Sequence, residues 1–127
     1  MAMVLVWIAL GGGLGSVLRY LATIYIDQLH DSSFPIGILV VNVLGSFAMG
    51  FLAWMFASSL SLGIEHRAAI LIGFLGGFTT FSSFSHDTLH HFIQGEYLAV
   101  FLNIVLSVVL CIIAAGAGLI LAKSIFT

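Results

Sequence analysis

The stretch GFLGGFTTFSSFSHD, residues 73–87, lies in the middle of the third apolar run of the chain. It holds three glycines, two threonines, three serines and four phenylalanines. A glycine pair has low helix propensity, and β-branched threonines lose side-chain freedom in a helix. In a bilayer, unwound backbone is tolerated only where it is buried in protein or lines a cavity. The stretch therefore predicts a membrane helix broken near residues 76–80, with hydroxyls and rings gathered at the break.

The composition places the break in a membrane. Of 127 residues, 61 % are hydrophobic and 6 % are charged. A soluble domain carries roughly a quarter charged residues because its surface faces water. The chain is therefore read as an all-α integral membrane protein. A formal net charge of −2 suggests no nucleic-acid partner. A spanning helix needs about 20 apolar residues, so the length accommodates one domain of four spans, with no soluble domain for separate catalysis. The first apolar run has no basic leader and continues at full span length, so it reads as a span rather than a cleaved signal. Cys111 is the only cysteine; it forms no intrachain disulfide and is expected as a small buried side chain.

The spans are expected at about 3–26, 35–60, 67–92 and 97–122. Ser32 or Ser33 offers an N-cap to the second, and Pro35 suits its first turn. The turns are short, so neighbouring helices run antiparallel, and an even number of spans puts both termini on one side. That side carries Arg67 and Lys123. Arg19, inside the first span, lies nearer the other side. The positive-inside rule gives a slight bias toward a cytoplasmic N-terminus, small enough to permit insertion in both orientations. Small residues recur four apart: Gly11 and Gly15, Gly12 and Ser16, Gly73 and Gly77, Ser46 and Gly50, Ala114 and Gly118. Such faces let helix backbones approach closely in lipid.

Polar residues within spans point to partners or water. Asn42 heads a face continuing through Ser46 and Gly50. Asn103, Ser107 and Cys111 form an i, i+4, i+8 stripe. Taken singly, each is explained by a bond to another helix, and a lone Phe by core packing. Together with a broken helix they suggest an ion path. Freed carbonyls at a break can hold a cation. Ser82, Ser83 and Ser85 can donate to an anion, and the rings of Phe81 and Phe84 present positive edges. His86 and His90 are spaced to chelate, but no third ligand follows; a solvated helix end, with Asp87 as an interfacial carboxylate, is the favoured reading.

Three motifs carry a family likeness: Gly11-Gly12-Gly13-Leu14-Gly15 with Arg19-Tyr20, then Asn42-Val43-Leu44-Gly45, then residues 73–85 of the opening stretch. On these the chain resembles the Fluc/CrcB family of small fluoride channels. The resemblance implies an antiparallel, dual-topology homodimer in the cell inner membrane, with two fluoride pathways built from both subunits. It implies that Phe81 and Phe84 line the pore and that Asn42 bonds the ion. Ser82, Ser83 and Ser85 belong to the polar lining, and Arg19 lies near the wet entrance. Asn103 and Ser107 lie where family members vary, and are assigned to the path less directly. Gly76 and Thr79 would offer backbone carbonyls to a structural sodium ion on the dimer axis. Asp87 stands where members commonly carry Glu. The implied function is passive, selective fluoride export, not enzyme catalysis. The alternative is a small dual-topology secondary transporter of cations or drugs; all five acids near turns or helix ends argue against it.

Overall fold

The computed structural model describes residues 1–30, 32–58 and 62–126. Four helical spans emerge: Ala2–Leu29, Ile36–Ser58, Ile64–Ile93 and Tyr97–Ile125. The described residues contain no strand. The first span is a single helix, α1 (Ala2–Leu29). Its 28 residues reach about 42 Å, longer than the roughly 30 Å hydrocarbon core. The second is α2 (Ile36–Ser58). The expected end of this span at residue 60 lies outside the described residues.

The N-terminus of α2 corrects one expectation. Neither Ser32 nor Ser33 caps it. The Ser32 hydroxyl accepts from the Phe34 N–H at 3.1 Å, which closes a local turn. The cap comes from the preceding helix instead: the Gly37 N–H donates to Asp27 Oδ1 at 2.8 Å. A carboxylate there also meets the positive end of α2.

The third span is composite. It begins with α3 (Ile64–Arg67), three residues earlier than expected, and continues as a π-helical stretch, Ala68–Leu75. A short α4 (Gly76–Phe78) follows, and α5 (Phe81–Ile93) completes the span. Gly76, expected to be unwound, is helical at φ −63°, ψ −36°, and Gly77 belongs to α4. The extended residues are Thr79 (φ −90°, ψ 156°) and Thr80 (φ −153°, ψ 122°). Gly77 is small because α1 crowds it: a Cβ there would meet the Gly12 carbonyl and, at 3.1 Å, the Ser16 hydroxyl.

Span three joins span four, α6 (Tyr97–Ile125), through a turn at Gly95. The Glu96 N–H reaches the His91 carbonyl (2.9 Å) and the Gly95 N–H reaches that of Phe92 (3.1 Å). This paired closure requires a left-handed residue, and Gly95 supplies it at φ +77°.

Two helix pairs hold the subunit together, and both are glycine seams. On α1, a Cβ at Gly11 or Gly15 would strike the carbonyl of Ala69 or Phe74; from the other side, one at Gly73 would strike that of Ile8. On the second pair, Gly50 of α2 faces the Ala115 carbonyl of α6, and Gly118 of α6 faces the Phe47 carbonyl of α2. The small-residue motifs therefore meet in pairs. The buried apolar core is correspondingly thin, with Val41, Phe56, Ala68, Leu75, Phe84 and Ala122 among its members.

Backbone contact this close leaves no room for a branched side chain. Gly50→Val should cost about 1–3 kcal/mol through overpacking and lower the thermal midpoint in detergent. Gly116, where a Cβ meets nothing within 4 Å, is the control; Gly116→Ala should match or slightly exceed wild type because alanine favours helix.

Candidate functional site

The two extended residues expose backbone groups that a continuous helix would satisfy. Asn42 on α2 covers them. Its Nδ2 donates to the Thr80 carbonyl at 3.0 Å, and its Oδ1 accepts from the Thr80 N–H at 2.8 Å. One carboxamide thus serves both polar groups of a single residue, as a neighbouring strand would. The second N–H of the Asn42 amide stays available to another acceptor.

Other freed groups are covered in turn. The Thr79 N–H and hydroxyl both donate to the Leu75 carbonyl, at 3.0 and 2.9 Å. Arg19 on α1 donates its Nε to the Gly77 carbonyl at 3.0 Å. Thr80 caps α5: its Oγ1 accepts from the Ser83 N–H at 3.1 Å. The same oxygen lies 3.1 Å from the Ser82 hydroxyl and 3.3 Å from that of Ser83. Two usual helical donors are therefore diverted. The Thr80 N–H turns to Asn42 instead of the Gly76 carbonyl, and the Ser83 N–H turns to Thr80 Oγ1 instead of the Thr79 carbonyl.

Beside the break lies a groove of about 400 Å³. Its wall includes Asn42, Ser46, Phe81, Phe84, Ser107 and Cys111. The Phe81 and Phe84 ring centroids are 5.2 Å apart with planes tilted by 45°. Phe84 is buried, whereas Phe81 is 76 % exposed on the single chain. Cys111, expected to be buried, is partly exposed on this wall. Behind it, Asn103 is almost wholly buried. The Asn103 Nδ2 donates to Thr88 Oγ1 at 2.9 Å, and the Ser107 hydroxyl donates to Asn103 Oδ1 at 3.4 Å.

The sequence-selected residues do not form one constellation. Asn42, Phe81, Phe84 and Ser107 share the groove. Ser82 and Ser83 open instead into a separate polar pocket with Thr23, Asp27, His86 and Asp87. Ser85 turns its hydroxyl back to the Phe81 carbonyl at 2.9 Å. Arg19 braces the break through Gly77. Three residues of the neighbourhood had escaped notice: Thr80, Thr88 and Asp27. Their partners lie 38, 15 and 10 positions away, outside any helical spacing.

The histidines divide. His86 is exposed and lies 3.4 Å from Asp87 Oδ1. His90 Nε2 lies 2.9 Å from Gln94 Nε2. His91 departs from the solvated-end reading: it is 3 % exposed, bonds Glu96 through Nδ1 and stacks on Phe34. Among the described residues, no three His, Cys, Asp or Glu side chains come together as a metal site.

The Asn42 clasp makes a stability prediction. Asn42→Leu would strip the Thr80 N–H and carbonyl of their partners, a loss of about 1–3 kcal/mol. Amide hydrogen exchange at Thr80 should accelerate markedly. Unchanged protection in the folded variant would contradict the clasp.

The comparisons with known proteins agree with one another. A family model described as CrcB-like protein, Camphor Resistance (CrcB), matches residues 6–119. A protein of Methylococcus capsulatus named fluoride-specific ion channel FluC is 47 % identical over 116 residues, 91 % of this chain. The chain spans about half, 51 %, of that relative's length. The Shewanella loihica protein of the same name is 43 % identical over 90 % of this chain and 91 % of its own length. That of Magnetococcus marinus is 41 % identical over 97 % of this chain and 100 % of its own. With most of its length matched by the family model and by relatives of nearly its own size, the chain belongs to the CrcB family.

Proposed function

We propose that the protein is a passive, selective fluoride channel of the cell inner membrane, working as an antiparallel dual-topology homodimer and exporting fluoride. The observation that carries this reading is the groove: a wall of amide, hydroxyl and aromatic edges beside a broken membrane helix. The name shared by the relatives supplies the ion. Fluoride is small and strongly hydrated, so a pore must replace its water with close, fixed donors. The free N–H of Asn42 and the hydroxyl of Ser107 are donors on the groove wall. The edges of Phe81 and Phe84 carry the positive part of the ring quadrupole. The polar pocket holding Ser82, Ser83 and Asp87 would serve as the wet approach to it, with Arg19 nearby on α1.

A second copy fits what one chain leaves open. Phe81 is 76 % exposed on the groove wall, and a ring lining a narrow path needs a facing surface. Gly76 is exposed, and a Cβ there meets nothing within 4 Å. The Gly76 and Thr79 carbonyls have lost their usual helical donors to Asn42 and Thr80. Such oxygens suit a hard monovalent cation, and a pair from each of two chains would surround it. A structural sodium ion held by Gly76 and Thr79 would offset the partial negative charge where two breaks meet. The protein's own share is to hold those carbonyls outward through the Asn42 and Thr80 bonds.

Export needs no energy source. Fluoride enters cells as the neutral acid and leaves as the ion down its gradient.

The test is efflux from liposomes holding purified protein, followed with fluoride and chloride electrodes. Rapid fluoride release with little chloride movement is expected. Phe81→Ile should slow fluoride by roughly tenfold, the scale of one aromatic contact, while the dimer still elutes intact. Fluoride release accompanied by obligatory proton movement would favour the transporter reading instead.

A further inference from the structure

Three hydroxyl and amide groups behind the groove form a chain whose direction is settled by its last member. The Thr88 hydroxyl donates to the Phe84 carbonyl at 2.7 Å. A carbonyl only accepts, so the single Thr88 proton is committed there. Toward Asn103, Thr88 Oγ1 can then only accept, and it does so from Nδ2 at 2.9 Å. The Asn103 amide is thereby oriented with Oδ1 toward Ser107. Ser107 must donate to it, and does so at 3.4 Å.

We infer that Thr88 is a positioning residue that sets the direction of the Asn103 amide and so makes Ser107 a rotating donor to an anion in the groove. The inference rests on the channel reading for the identity of the ion. Its physical basis is the difference between the links. Bonds at 2.7 and 2.9 Å are well formed; one at 3.4 Å is at the limit of a hydrogen bond. The Ser107 oxygen is on the groove wall, while its proton is parked behind the wall on Asn103. A hydrogen bond to an anion is charge-assisted and stronger than a neutral one. An arriving anion can therefore draw the Ser107 hydroxyl round at the cost of the weakest link only. When the anion leaves, the waiting Asn103 oxygen, almost wholly buried, takes the proton back. Donor strength is thus lent and recovered, which favours passage over tight holding.

Without Thr88 the amide is free to turn. Its Nδ2 can then face Ser107, which accepts and points its own proton permanently into the groove. Thr88→Val, which keeps the shape and removes the hydroxyl, should lower both the half-saturating fluoride concentration and the maximal efflux rate by roughly fivefold, the scale of one hydrogen bond. Thr88→Ser should restore both.

A second readout does not depend on flux. Asn42 and Asn103 are the only asparagines in the chain. Protein labelled with ¹⁵N-asparagine therefore gives two side-chain amide signals, assigned with Asn42→Asp. The Asn103 signal should move in Thr88→Val, stay in place in Thr88→Ser, and leave that of Asn42 undisturbed. An unmoved Asn103 signal in folded Thr88→Val protein overturns the inference. So does a moved signal with both flux parameters unchanged, or a flux loss that Thr88→Ser fails to restore. A wild type that releases no fluoride sinks the channel reading instead, and the Asn103 signal still decides whether Thr88 orients the amide.

Discussion

The arrangement around the break depends on a two-point hydrogen bond between the Asn42 side chain and the Thr80 backbone. An extended residue inside a membrane span must find partners for its N–H and its carbonyl, because the hydrocarbon offers none. Once Asn42 takes both, helix α5 can restart at Phe81, with Thr80 as its cap. That restart aims the Phe81 and Phe84 rings at the groove and places Ser82 and Ser83 on a different side of the helix. The clasp also denies the Gly76 carbonyl its usual donor. Ring placement, hydroxyl sorting and carbonyl exposure therefore share one cause.

The helix seams operate on a different principle. Around the break, polar groups hold the chain; along α1 with residues 68–75, and along α2 with α6, closeness does so. Lipid tails leave no hydrophobic driving force between helices, so packing area must come from short interaxial distance. Gly11, Gly15, Gly50, Gly73 and Gly118 each abut a carbonyl of the facing helix. The consequence is a thin apolar core and a large apolar exterior, suited to lipid and to a second protein surface.

The spans were legible because an apolar run of bilayer length bounded by charged turns has few other solutions. The small-residue motifs were legible as packing faces, and the structure shows which faces meet. The break was located less well. Gly76 and Gly77 are poor helix formers in isolation, but here they are helical beneath α1, and the extended backbone falls on the following threonines. Tertiary contact outweighs propensity at those positions. The π-helical stretch Ala68–Leu75 has no sequence signal at all, since AAILIGFL is an ordinary apolar helix by composition. Asn42, Asn103 and Ser107 stood out as polar residues in oil. Their partners Thr80 and Thr88 did not, because helical periodicity reveals neighbours on one helix and is silent about contacts across two.

The π-helical stretch carries a consequence for how this chain can change over evolutionary time. A wider turn holds one more residue than an α-helix needs to cover the same height. A single-residue deletion within residues 68–75 would let the stretch rewind as α-helix with little loss of length. It would also swing whatever follows by roughly 100° about the axis, the angular step of one residue. Gly73 and Gly77 would leave the seam with α1, and Thr80 would turn away from Asn42. Loops of such proteins can drift in length, but this apolar octet behaves as a phase-setting spacer, tolerant of exchange among side chains and intolerant of any change in count.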